Sequence, residues 1–162
     1  IMFEFEYLNK SKMSSLNDFI VKMGKFLQAL PNDYSFAIET RNPNYLKKDF
    51  FEFLENYKTG FVLIDGYYMP QAEKVYDEFN EYFKKLPVLI LRLLGKDRQG
   101  IEKITGKKWN QIVEPRDETI KEITRILIDF SKMKVPLYVN VNNHFEGSAP
   151  LTIEKIKKLI VK

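Results

Sequence analysis

"GFVLIDGYYMPQAEKVYDEFNEYFKKLPVLILRLLG", Gly60 to Gly95, decides the fold class. Its two ends, 60–65 and 87–95, are nearly continuous runs of Val, Ile, Leu and Phe. Such runs suit parallel strands covered on both faces, since a strand with one wet face alternates instead. Between them, Ala72, Val75, Phe79 and Phe83 recur at helical spacing across 70–86. Strand, helix, strand is the crossover unit that a parallel sheet requires.

The same grammar extends in both directions. "IMFEFEY" (1–7), "YSFAIET" (34–40) and "VPLYVNVNN" (135–143) read as three further strands. Leu16, Phe19, Ile20, Met23, Leu27 and Leu30 form an apolar helix stripe. So do Leu46, Phe50, Phe53, Leu54 and Tyr57, with Asn42 or Asn44 as caps beside Pro43. Ile120, Ile123, Ile126, Leu127 and Phe130 make another stripe, and Ile153, Ile156 and Ile160 a last one. Flavodoxin-like open sheets and (β/α)8 barrels both fit this order. No G-x-G-x-x-G or G-x-x-x-x-G-K loop follows any strand, which argues against dinucleotide and P-loop folds. With 162 residues, no repeat and no low-complexity linker, one α/β domain over 1–162 is expected.

Composition excludes several chemistries. The chain has no cysteine, so structural disulfides, zinc–thiolate sites and cysteine nucleophiles are out. No apolar run approaches the roughly 20 residues of a membrane span, and no signal peptide is visible. A cytoplasmic protein with no membrane partner is therefore expected. The formal charge of +4 is mild, and lysines alternate with glutamates along helical stretches. That is the pattern of a solvated surface, so a nucleic-acid partner is not expected. The segment "GKDRQGIEKITGKKW" (95–109) reads as a basic loop carrying Trp109, and such loops are usually inert.

Ligands of parallel α/β folds meet the carboxyl ends of the strands. Glu39 and Arg41 close the second strand and share one face, as a ligand pair or as a structural ion pair. Asp65 precedes Gly66 at the end of the third strand, where a site residue and a turn residue are both admissible. Arg92 stands inside the apolar fourth strand, and a buried guanidinium needs an acidic partner or an anion. Asn142, Asn143 and His144, the only histidine, end the fifth. Asn140 shares the face of Asn142. "GSAPLT" (147–152) then starts a helix with Pro150 in its first turn, and Ser148 or Ala149 falls at the cap. Its N–H groups serve either an anion or ordinary capping.

"FAIETRNPNY" (36–45), "LILRLLGKDRQG" (89–100) and "YVNVNNHFEGSAPLT" (138–152) together resemble the YecE-like family, domain of unknown function 72. Asn-Asn-His followed by Gly-Ser-Ala-Pro is the most specific part, and the resemblance runs in order across the chain. It implies a TIM-type (β/α)8 barrel, of which these five units would be the last five of eight, and no established activity. It carries the family's glutamate and arginines onto Glu39, Arg41 and Arg92, and its Asn-Asn-His onto Asn142, Asn143 and His144. Leu94 stands where the family pattern has a histidine. A complete barrel takes about 250 residues, so a fragment of a longer polypeptide is expected, with completion by a second copy as the alternative.

The leading expectation is an enzyme, a metal-assisted hydrolase or an isomerase, acting on a small phosphate- or carboxylate-bearing substrate. Arg41 and Arg92 would hold the anion and Glu39 would act as general acid or base. His144 would shuttle a proton or ligate a metal with Asp65 and Glu39. Asn142, Asn143 and the Ser148 turn would orient substrate. The alternative is a non-catalytic barrel that binds a ligand or partner, favoured by Leu94. Cofactor and oligomeric state are left open.

Overall fold

The computed structural model describes residues 1–162 apart from Tyr67, Lys96 and Lys162. Its five strands are β1 (Met2–Phe5), β2 (Ala37–Thr40), β3 (Gly60–Gly66), β4 (Leu89–Gly95) and β5 (Leu137–Val141). They form one sheet in the order β1-β2-β3-β4-β5, with every neighbouring pair parallel. Each strand lies beside its successor in the chain, unlike the 2-1-3-4-5 order of a flavodoxin-like sheet.

Six α-helices connect or follow the strands among the described residues: α1 (Leu16–Gln28), α2 (Lys48–Asn56), α3 (Ala72–Phe83), α4 (Arg98–Thr105), α5 (Asp117–Ser131) and α6 (Ala149–Ile160). None is long and apolar enough to cross a membrane. Local chemistry sets their ends. Ser15 caps α1 by accepting from the Asp18 N–H at 3.1 Å, and Asp97 caps α4 by accepting from Gly100 at 2.9 Å. Gly106 closes α4 in the left-handed conformation, φ 56°.

Two expectations fail here. The 95–109 segment holds helix α4 rather than only a basic loop, and its Lys96 lies outside the described residues. The helix is short and buries little beyond Ile101 and Thr105, so its apolar signal is faint. Asn42 caps a 3-10 turn, Pro43–Tyr45, by accepting from the Asn44 N–H at 3.1 Å, whereas α2 has Lys47 at its N-cap and no side-chain cap bond.

The two faces of the sheet differ. Ile38, Phe61, Leu63, Leu89, Leu91 and Leu93 face the helices and join one large core. Phe51 of α2 is central to it, with ring centroids 4.5 Å from Phe79 and 5.1 Å from Phe61. Cutting such a residue to alanine costs about 3–5 kcal/mol. The alternate residues Ala37, Val62, Ile64, Val88 and Leu94 form a small second cluster with Met2, Met69 and Ile90 and no helix residue. Period-two alternation therefore sends Glu4, Glu39, Arg92 and Asn140 onto this helix-free side.

Candidate functional site

At the carboxyl ends of β1, β2 and β4 the helix-free face carries a network of charges. Glu39 is completely buried. Its Oε1 accepts from Arg41 Nε at 3.2 Å, and its Oε2 accepts from Arg92 Nη1. Arg41 also donates to Glu6 Oε1 at 2.6 Å and to Glu4. Arg92 Nη1 donates to Glu4 Oε2 at 2.9 Å, which ties β4 to β1. The parallel register aligns Glu4 with Glu39, so adjacent strands present two carboxylates side by side to the arginines. Burial is the largest single influence on both guanidiniums and pulls their pKa values down. Glu39 and Glu4 outweigh it, with Glu6 adding to Arg41, and hold both above the ordinary arginine range. Among the described residues, three carboxylates meet two guanidiniums in this network.

Toward β5 the same face is built differently. A cavity of about 330 Å³ is lined by Arg92, Asn140, Asn142 and Asn143 together with Met2, Leu94, Val141 and Ala149. The register pairs Arg92 with Asn140, which sets the guanidinium beside the amides. Both ion pairs of Arg92 leave from Nη1, and the side chain keeps 19% exposure. Arg92 thus belongs both to the ion-pair network and to the cavity lining. Larger spaces of about 550 and 490 Å³ lie along the helices, lined by Lys47 and Glu52 or by Pro31 and Tyr34. They lie away from the carboxyl ends of the strands, so the cavity beside Arg92 is the better candidate.

His144 departs from expectation. Its backbone N–H donates to Asn142 Oδ1 at 3.0 Å, so Asn142 orients the main chain, not the ring. The ring Nε2 lies 3.1 Å from Glu102 Oε1 on α4, and the indole of Trp109 meets it edge-on at 5.0 Å. Arg98 first, then His144 and Lys107, draw the Glu102 pKa below the usual carboxylate range. The seam is tight: a Cβ at Gly95 (φ +82°) would stand 2.2 Å from the His144 carbonyl oxygen. Glycine is required there by conformation and by space.

Asp65, Ser148 and Asn143 stand in other surroundings. Asp65 shares the face of Phe61 and Leu63, so strand parity turns it toward the helices. There it is buried and accepts from the Ala72 N–H at 3.2 Å, capping α3. It cannot join Glu39 and His144 around a metal, and no metal-competent group of three His, Cys, Asp or Glu occurs among the described residues. Ser148 stands at the N-cap of α6 but is buried and makes no side-chain cap bond. Asn143 does that work, its Oδ1 accepting from the Ala149 N–H at 2.8 Å.

Two carboxylates of the charge network, Glu4 and Glu6, escaped the sequence reading, although their alternation with Phe3 and Phe5 marked a polar face. Glu102 was also missed, and its only signal was the i,i+4 spacing from Arg98. Glu146 had no local signal. Fully buried, it accepts from the Arg116 N–H, Thr152 Oγ1 and Lys155 Nζ, each at 2.8 Å.

The fold has solved counterparts. A DUF72 family protein from Thermotoga maritima aligns over 100% of this chain and 58% of its own, at 19% identity and a TM-score of 0.66. One from Enterococcus faecalis aligns over 99% of this chain and 58% of its own, at 14% identity and a TM-score of 0.65. The chain thus spans under two thirds of the length of these relatives. Among curated proteins none matches the sequence. The family model described as "Protein of unknown function DUF72" matches residues 10–162, nearly the whole chain, and the chain belongs to that family.

Proposed function

We propose that the chain is one α/β domain forming five units of a TIM-type (β/α)8 barrel, whose mouth binds a small anionic ligand through Arg92. Consecutive parallel strand order with helices on one face supports the barrel. So does the 58% share of the longer relatives, close to five units in eight. The observation that carries the ligand reading is Arg92 itself. Its Nη1 is anchored to Glu4 and Glu39, and the same residue lines a cavity with Asn140, Asn142 and Asn143. A positioned arginine with neutral hydrogen-bonding neighbours is a common way to hold an anionic group.

Binding is better supported than catalysis. A proton-transfer catalyst needs a titratable group within reach of the bound molecule. Among the described residues lining the cavity, Arg92 is the only ionisable one, and Leu94 occupies the wall. Glu39 is buried between two arginines and His144 is turned to Glu102. The hydrolase or isomerase reading would require Glu39 to leave both partners. A titration of labelled protein with small anions tests the proposal, read at the side-chain amides of Asn140 and Asn142. Saturable shifts that Asn140→Ala weakens support it. Shifts confined to surface lysines would refute it.

A further inference from the structure

We infer that His144 is a nucleophilic site apart from the Arg92 cavity, its Nδ1 open to an activated acyl group while Glu102 holds the other ring nitrogen. The ring is fixed from several sides. Nε2 lies 3.1 Å from Glu102 Oε1, and the Trp109 indole meets the ring edge-on with centroids 5.0 Å apart. The backbone that carries the ring is anchored too, since the His144 N–H donates to Asn142 Oδ1 at 3.0 Å. Its carbonyl packs against Gly95, where a Cβ would come within 2.2 Å of the oxygen.

The partner decides where the ring hydrogen sits. Arg98 Nε donates to the same Glu102 Oε1 at 2.8 Å, and Lys107 Nζ stands 3.8 Å from Oε2. Arg98 foremost, then His144 and Lys107, keep this carboxyl below its usual range and therefore ionised near neutral pH. An ionised carboxylate only accepts, so a neutral His144 ring carries its hydrogen on Nε2 and its lone pair on Nδ1. Nδ1 has no hydrogen-bond partner among the described residues and is not one of the buried unpartnered atoms. It belongs to a side chain that keeps 14% exposure. An oriented imidazole with one nitrogen on a carboxylate and a free lone pair on the other is equipped to attack a carbonyl carbon. The chain has one histidine, so no second imidazole can take this part.

In the step itself, Nδ1 bonds to the carbonyl carbon, the leaving oxygen departs with its bonding pair, and the Nε2 proton passes by way of Glu102 to water. Diethyl pyrocarbonate is the probe. It leaves an ethoxycarbonyl group on the ring and releases ethyl carbonate, which takes up a proton and breaks down to ethanol and carbon dioxide. Modification is followed by absorbance and mass with His144→Asn as the blank, and the tautomer by the nitrogen shifts of the labelled ring. The Nε2–H tautomer is expected, with a rate at least equal to that of Nα-acetylhistidine at the same pH although the ring is largely enclosed. Glu102→Ala should slow the reaction about tenfold, as loss of an orienting carboxylate does for other imidazoles. Trp109→Phe keeps a ring in place and should change the rate little. A dominant Nδ1–H tautomer would overturn the inference. So would a rate well below that of Nα-acetylhistidine, or an unaltered rate in folded Glu102→Ala. Should that variant fail to fold, the tautomer and rate of the unmodified sequence decide. None of these readouts involves Arg92, so failure here leaves the anion-binding proposal in place.

Discussion

Two regions of the helix-free face treat their polar groups in opposite ways. At β1 and β2, Glu4, Glu6, Glu39 and Arg41 bond one another, and Arg92 reaches across to complete the set. At β5, Asn140, Asn142 and Asn143 border an open cavity. The difference follows from the energetics of burial. A charge withdrawn from water must be paired where it stands, so the buried Glu39 holds both arginines. A neutral amide costs far less when left facing solvent, so Asn140 can stay exposed, while Asn142 and Asn143 spend their Oδ1 atoms on the His144 and Ala149 N–H groups. Chemical potency in the sequence and availability in the fold are therefore separate properties, and Arg92 alone belongs to both regions.

The largest expected effect breaks the first region. Glu39→Gln leaves two guanidiniums short of a buried carboxylate and should cost about 3–5 kcal/mol in chemical denaturation. A loss under 1 kcal/mol would mean that solvent already screens the network. Next comes the seam between the regions. Gly95→Ala meets both a positive φ and the His144 carbonyl, so it should destabilise by more than about 1 kcal/mol.

On the cavity side, Asn143→Ala removes the cap of α6 and should cost about 1 kcal/mol, with the loss of hydrogen-exchange protection centred on the first turn of that helix. An effect spread evenly over the protein would argue against local capping. The smallest effect concerns pH. The pKa of Glu102 is depressed in the fold, so its contribution is present above the ordinary glutamate value of about 4.3 and is lost as pH falls through the lower folded value. Glu102→Gln should flatten the stability profile between about pH 5 and 3. A profile unchanged by the substitution would place the acid sensitivity elsewhere.

Strand positions, parallel pairing and the Glu39–Arg41–Arg92 grouping were legible because each depends on short-range periodicity. Glu39 and Arg41 are two residues apart on one strand, and Arg92 interrupts an apolar one. Parity also bore on Asp65, which falls in step with Phe61 and Leu63, yet the Asp-Gly turn signal obscured it. The His144–Glu102 contact was not legible, since it joins residues 42 apart across a helix whose own pattern is weak. Whether Asn143 holds a ligand or a helix end also depended on three-dimensional reach. A carboxamide six residues before an N–H meets it only after the 142–148 turn has formed.

Glu146 has a consequence for how this protein tolerates change in length. Its side chain accepts from the Arg116 N–H, and its own carbonyl accepts from Val113 and Glu114. Gly147 beside it is hemmed in by the backbone of Gln111 and Val113, where a Cβ would come within 2.7 Å of the Gln111 oxygen. The connection from α4 to α5 is thus two segments: an outer part just after Gly106 and an inner part, 111–116, fastened to the start of α6. Extra residues are better accommodated where the backbone is exposed and makes few long-range bonds. Tags, linkers or natural insertions belong beside Lys107 and Lys108, which are exposed, while an addition of even one residue near Val113 would pull the chain off its buried anchor.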